Sequence, residues 1–184
     1  MQQIPLEEEV GRLLQKRGWH LALAETSTGG LIGYLLTTVP GSSAYFDCSI
    51  VAYSNHAKES SLDLPSELLK RHGAVSLMTA YAMATQVRRI SQVEVGLAVT
   101  GLTGPRTGRS PKPIGLTYVV LALPHTTLWW EGVFSGERAE IQRKSALKAL
   151  AILREALLDH PLHVDAQARE GYPTQSPRCC QDNP

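Results

Sequence analysis

Three cysteines in 184 residues, Cys48 alone and Cys179 beside Cys180, are too few and wrongly spaced for a disulfide framework or a zinc site. That scarcity makes a reducing cytoplasm the expected setting. Long apolar runs are also missing. None approaches the roughly 18 residues that span a bilayer, so no membrane role is expected. Charge of one sign is missing too: 18 basic and 17 acidic residues leave a formal net charge of +1. No general field therefore favours nucleic acid or an anionic surface. The stretch from Met1 to Gly18 is acidic and amphipathic, without the basic-then-apolar order of a secretory signal. The six histidines show no ligand spacing, and no metal is expected. What is there is a chain long enough to bury a substantial core without staples.

Helical and strand patterns alternate along it. Val10, Leu13 and Leu14 give residues 6–17 a helical face, and Gly18 fits the stop. Leu21 to Ala24 read as a strand, and Tyr45 to Tyr53 as another after the turn at Pro40-Gly41-Ser42-Ser43. Asn55 to Leu62, capped by Ser54, and Pro65 to Arg71 read as short helices, and Ser76 opens a longer one to about Ile90. Val93 to Thr100 has the near-continuous apolar character of a central strand. A loop of three glycines and three prolines spans 101–113. Ile114 to Leu123 and Thr127 to Phe134 form an expected hairpin, in which Trp129 and Trp130 point to opposite faces. A final helix is expected over 137–158. From residue 159 the periodicity is lost, and a disordered tail is expected over 159–184. The fold class expected is α/β: one three-layer α-β-α domain over 1–158, with helices on both faces of a mixed sheet.

The most informative stretch is His20 to Leu36. Its apolar strand stops at Glu25, passes the hydroxyls of Thr26, Ser27 and Thr28, meets Gly29-Gly30 and becomes a helix. Such a corner aims free N–H groups and a positive helix end at one place, suited to an anion, with a hydroxyl nucleophile beside it. Corners of this composition are also ordinary caps and turns. Three further polar clusters interrupt the scaffold: Gly41-Ser42-Ser43, Tyr53 to Lys58, and Thr100 to Pro105. In open α/β sheets such loops gather outside the carboxyl ends of strands.

Taken in order, these segments resemble the CinA C-terminal domain family, whose active members are nicotinamide-nucleotide amidases. Here AETSTGG (from Ala24) is similar to the family's AESCTGG, VPGSSAYF to its PGSSxxF, and VAYSNHAK to its VxYSNxxK. HGAVS is intact, AVTGLTGP is similar to A(V/I)(S/T)GxAGP, KPIG to KPVG, and FSGER to F(S/P)GDR. The resemblance covers about Leu13 to Leu158. It implies hydrolysis of nicotinamide mononucleotide to nicotinic acid mononucleotide and ammonia, with a hydroxyl nucleophile and no cofactor. It implies Lys58 as the base, neutral when burial or a nearby cation lowers its pKa, with Tyr53 and Asn55 orienting base or amide. The helix beginning near Gly29-Gly30, with Thr28, would hold the phosphate. Ser42 and Ser43 would add hydroxyl contacts, and Thr100, Gly101 and Gly104 would line the same site. The family also implies a homodimer, and in some members a fusion behind a second nucleotide-processing domain, so this chain reads as a stand-alone form.

Three departures bear on activity. Thr26 stands where the family has the serine expected to be the nucleophile, and Ser27 where it has cysteine. The β-methyl of threonine restricts χ1 and crowds attack, while Ser27, one residue on, faces another way. The glycine loop loses an acid and a glycine and gains Arg106 and Arg109, which either read a second phosphate or are a solvated loop. Gln142 replaces a common arginine, and Arg143 sits about 100° round the helix from it. Two expectations follow: an amidase using Thr26 or Ser27, or a paralogue that binds a nucleotide or a protein partner without turnover.

Overall fold

The structure, a computed structural model, describes residues 4–104 and 111–158. Pro105, Arg106 and Arg109, the expected tail over 159–184, and Cys179-Cys180 lie outside the described residues.

Chain chemistry sets each boundary locally. Helix α1, Leu6–Arg17, carries Glu7, Glu8 and Glu9 in its first turn and Lys16 and Arg17 in its last, matching the helix dipole at both ends. Gly18 ends it at φ 62°, a conformation glycine adopts without penalty. Strand β1, Leu21–Glu25, is wholly buried. Helix α2, Leu31–Thr37, returns along it to a single 3-10 turn, Ser42–Ala44. Strand β2, Phe46–Val51, is shorter than expected from the sequence, because the Tyr53 amide folds back to the Val51 carbonyl. Helices α3, Asn55–Leu62, and α5, Leu77–Ser91, open on the expected serines: Ser54 accepts from the Ala57 amide and Ser76 from that of Thr79. Between them lies α4, Ser66–His72. Strands β3, Val95–Gly101, β4, Leu116–Ala122, and β5, Thr127–Val133, precede α6, Arg138–Leu157.

The five strands order as β2-β1-β3-β4-β5. β2 and β3 run parallel to β1, whereas β4 and β5 are antiparallel additions. The sheet is therefore mixed, and β3 is central as its apolar run required. One core lies beneath α1, α2 and α6, with Leu21, Leu23, Leu97 and Val99 pointing into it. The other lies beneath α3, α4 and α5, with Ala22, Ala24, Ala98 and Met83. Each large side chain fully buried there stabilises the fold by about 1.5–3 kcal/mol. Trp130 packs toward the first core and Trp129 toward the second. Strand alternation thus decides which helical layer each residue meets, and it continues past the end of β1.

No helix among the described residues is long and apolar enough to cross a membrane. Nor do the described residues hold a group of three His, Cys, Asp or Glu placed to grip a metal ion.

Candidate functional site

The chain leaves β1 for α2 on one face of the sheet, and reaches β3 from β2 by way of helices on the other. The carboxyl ends of β1, β2 and β3 therefore open together at a topological switch point, where open α/β sheets bind ligands. Residues 26–30 follow β1, 52–58 follow β2, and Gly101 ends β3 with 102–104 after it.

Alternation sorts the corner hydroxyls. The Thr26 amide still pairs with the Val99 carbonyl, at 3.0 Å. Its hydroxyl turns to the α5 face, where the nearest polar partner is the Met83 sulfur at 3.8 Å. Ser27 turns to the α6 face. Its hydroxyl is buried with no hydrogen-bond partner among the described residues, next to the backbone of Gly101 and the Thr117 hydroxyl, which pairs with Ser145 at 3.0 Å. A Cβ on Gly101 would stand 3.2 Å from the Ser27 oxygen and 2.6 Å from the Leu116 carbonyl, so only glycine fits there. Gln142, on α6, donates to the Ser27 carbonyl at 2.9 Å. The position read as a departure is therefore in use, as a tether of the corner.

The Thr28 hydroxyl and the amides at the start of α2 are not free donors for a ligand. Glu25, fully buried, reaches back over them. The Thr28 hydroxyl donates to it at 2.7 Å, the Gly30 and Ile32 amides at 3.1 Å and the Gly33 amide at 2.9 Å. The Ser49 hydroxyl on β2 adds a fifth donor at 2.9 Å. The Gly29 amide goes to the Thr26 carbonyl and that of Leu31 to Thr28. The expectation that this helix start holds phosphate is thus corrected: a carboxylate of the chain already occupies it, for the electrostatic reason that made it attractive.

Lys58 lies on α3, one turn past the Ser54 cap, and is fully buried despite its charge-bearing end. Its Nζ donates to the carbonyls of Ala52 at 2.9 Å and of Tyr53 and Ser54 at 3.4 Å. No carboxylate among the described residues pairs with it. Burial pushes its pKa below the usual lysine value, since desolvation disfavours the ammonium. The Ala52 amide pairs with the Glu25 carbonyl at 3.0 Å, which brings the strap holding Lys58 against the residue before Thr26. Lys58 and Thr26 share the α5 face, though no hydrogen bond joins them.

Tyr53 is exposed, and its hydroxyl accepts from Arg138, the first residue of α6. The same guanidinium donates to the Gly104 carbonyl. Gly136, at φ 129°, and the Glu137–Glu140 capping box set the start of α6 where Arg138 can reach both. Arg138 was not among the residues expected at the site, although the FSGER match contains it. The Thr100 hydroxyl donates to the Ala74 carbonyl of the HGAVS segment at 2.9 Å, and Lys112 donates to the neighbouring Val75 carbonyl. Asn55 opens α3 with its side chain exposed. Ser42 and Ser43 are not brought in. They precede β2, at the amino ends of the strands, because a parallel β1–α2–β2 unit returns the chain to the opposite edge before β2 begins. Within this chain that expectation is not met.

Comparison with known proteins bears on the family and the fold. The family model described as CinA C-terminal domain matches residues 3–157. A CinA-like protein of Syntrophobacter fumaroxidans is 42% identical over 154 residues, covering 84% of this chain and 36% of that protein. One from Anaeromyxobacter sp. (strain Fw109-5) is 45% identical over 144 residues, covering 78% of this chain and 35% of that protein. The chain thus spans little more than a third of these relatives. Two solved structures superpose on it: the competence damage-inducible protein A of Klebsiella pneumoniae and the competence/damage inducible protein CihA of Agrobacterium tumefaciens. The first has a TM-score of 0.81 at 30% identity, covering 84% of this chain and 96% of that chain. The second has a TM-score of 0.77 at 35% identity, covering 86% and 99%. With the mixed sheet, the ordered motifs and the family match in agreement, the chain belongs to the CinA C-terminal domain family.

Proposed function

We propose that this chain is an amidohydrolase that converts nicotinamide mononucleotide and water to nicotinic acid mononucleotide and ammonia, with Thr26 as nucleophile and Lys58 as base. The observation that carries this reading is the fully buried Lys58 amine, unpaired with any described carboxylate and on the same sheet face as the Thr26 hydroxyl. Ser27 gives way to Thr26 because its oxygen lies on the other face.

A neutral amine has two N–H donors and one lone pair, so it cannot keep all three carbonyl contacts. Giving up one of the two longer ones turns the lone pair toward Thr26. Among the described residues the Thr26 hydroxyl is held by a weak sulfur acceptor alone and reorients at little cost. Lys58 takes its proton as the oxygen attacks the carboxamide carbon. The C–N bond then breaks, and Lys58 returns the proton to the departing ammonia. Water, deprotonated by the same amine, attacks the threonyl ester; the C–O bond to Thr26 breaks, Lys58 returns the proton to the Thr26 oxygen, and the acid is released. Ser27 and Thr28 offer backbone N–H groups to the oxyanion: no acceptor among the described residues takes them. Arg138 meets the phosphate, since two of its five N–H donors are used by Tyr53 and Gly104 and the rest remain. A cytoplasmic homodimer is the setting this reading carries from the family resemblance.

A second reading, nucleotide binding without turnover, draws on the absence of a hydrogen bond between Thr26 and Lys58. Ammonia release from nicotinamide mononucleotide by purified protein, with Lys58→Ala as control, separates the two. Turnover abolished by the substitution supports the amidase. Saturable binding with no ammonia above background replaces it with the second reading.

A further inference from the structure

We infer that Glu25 is the positioning residue that holds the Thr26 hydroxyl and the Lys58 amine in register, an inference that rests on the amidase reading above. Its carboxylate is fully buried, and both oxygens only accept. Thr28 Oγ1 and the Gly30 and Ile32 amides converge on Oε2, and the Gly33 amide and Ser49 Oγ on Oε1. No basic side chain among the described residues shares the charge. A buried carboxylate is costly unless every lone pair is met, and here five donors from three segments meet it: the corner, the first turn of α2 and the edge strand β2.

A helix start needs no such device. A serine, threonine or aspartate at the cap satisfies its amides locally, and Ser54 and Ser76 do so elsewhere in this chain. Glu25 instead reaches forward eight residues and sideways to β2, which fixes the shape of the whole turn. Gly33 makes room for this. A Cβ there would lie 3.0 Å from the Ser49 Cβ and 3.4 Å from Glu25 Oε1.

The backbone of the same residue does the second half. Its carbonyl accepts the Ala52 amide at 3.0 Å, and the Ala52 carbonyl accepts Lys58 Nζ at 2.9 Å. Thr26 is the next residue along. Side chain and main chain of Glu25 thus set the nucleophile's corner and the base's strap from one point, and loosening it moves one against the other.

The test is Glu25→Gln, which keeps size but turns an NH2 group toward amide donors. A misplacement of about 1 Å can cost on the order of a hundredfold in turnover. The expected result is therefore a fall in kcat of at least about tenfold, with KM for nicotinamide mononucleotide within about threefold, in a protein that keeps its circular dichroism. The Lys58 side-chain resonance, followed by NMR in lysine-labelled protein, is expected to move and to titrate at a changed pH. Ser49→Ala removes only the donor on β2 and is expected to give a smaller change of the same kind, which decides the matter if Glu25→Gln does not fold. Unchanged kcat and an unmoved Lys58 resonance in a folded variant overturn the inference. If the wild-type protein releases no ammonia, the amidase reading fails by itself. The Lys58 resonance then judges Glu25 alone: moved, the register role stands; unmoved, it falls.

Discussion

Replacing Lys58 by methionine, which fills much the same volume without the amine, is expected to change stability in a pH-dependent way. Three carbonyls lose a donor, but they are not equal. Tyr53 and Ser54 are exposed, and the Ser54 carbonyl keeps the Lys58-position backbone amide, now at 3.1 Å. Only the Ala52 carbonyl lies in a fully buried residue, so one orphaned acceptor costs about 1–3 kcal/mol. Against this stands relief from burying a cation. The folded pKa of Lys58 is lowered, so between that value and the unfolded value of 10.5 the unfolded chain binds more protons. Wild-type stability therefore climbs with pH through that window, by at most about 1.4 kcal/mol per pH unit for one proton. Lys58→Met lacks this climb. Urea denaturation of both proteins from pH 7 to pH 10 is expected to show the wild type gaining on the variant as pH rises. Parallel curves over that range would refute the claim that the amine's burial drives its pKa down.

Two substitutions test the reacting groups more directly. Thr26→Ser removes the methyl that restricts χ1 while keeping the oxygen, and kcat for ammonia release is expected to rise by up to about tenfold; a fall would mean that the methyl's packing orients the hydroxyl. Arg138→Ala deletes charge-assisted hydrogen bonds of about 1.5–3 kcal/mol. It is expected to raise KM for the mononucleotide by about ten- to a hundredfold, with kcat nearly unchanged and no such effect on an unphosphorylated nucleoside. Equal effects on both substrates would remove the phosphate from Arg138.

What the sequence disclosed was whatever is decided within a few residues. Gly18 at the end of α1, Ser54 and Ser76 at helix starts, and the apolar run of β3 all act through local backbone geometry; the first three are where the pattern puts them, and β3 runs Val95–Gly101 where the pattern gives Val93 to Thr100. Alternation along β1 was equally legible, and it separates Thr26 from Ser27. The site contacts were not. Arg138 reaches Tyr53 across 85 positions and Gln142 reaches Ser27 across 115, and no periodicity encodes such pairs. Ser42 and Ser43 misled because a polar turn carries no mark of which end of the sheet it occupies. That depends on strand direction, which the parallel β1–α2–β2 connection fixes.

The start of α2 shows how a sound rule can find the wrong ligand. Amides and dipole at a helix start do draw an anion, and here the anion is five residues upstream on the same chain, where a strand-ending glutamate can fold back over the turn it precedes. With that place taken, a second negative group brought there would meet repulsion as well as a lack of free donors. On the amidase reading proposed above, the phosphate of a substrate entering at the carboxyl ends of β1, β2 and β3 would be read by a cation from another element, and α6 carries one at its first residue. The division follows from chemistry alone: the buried carboxylate shapes the corner that carries the hydroxyl, and the exposed guanidinium meets what comes from solvent.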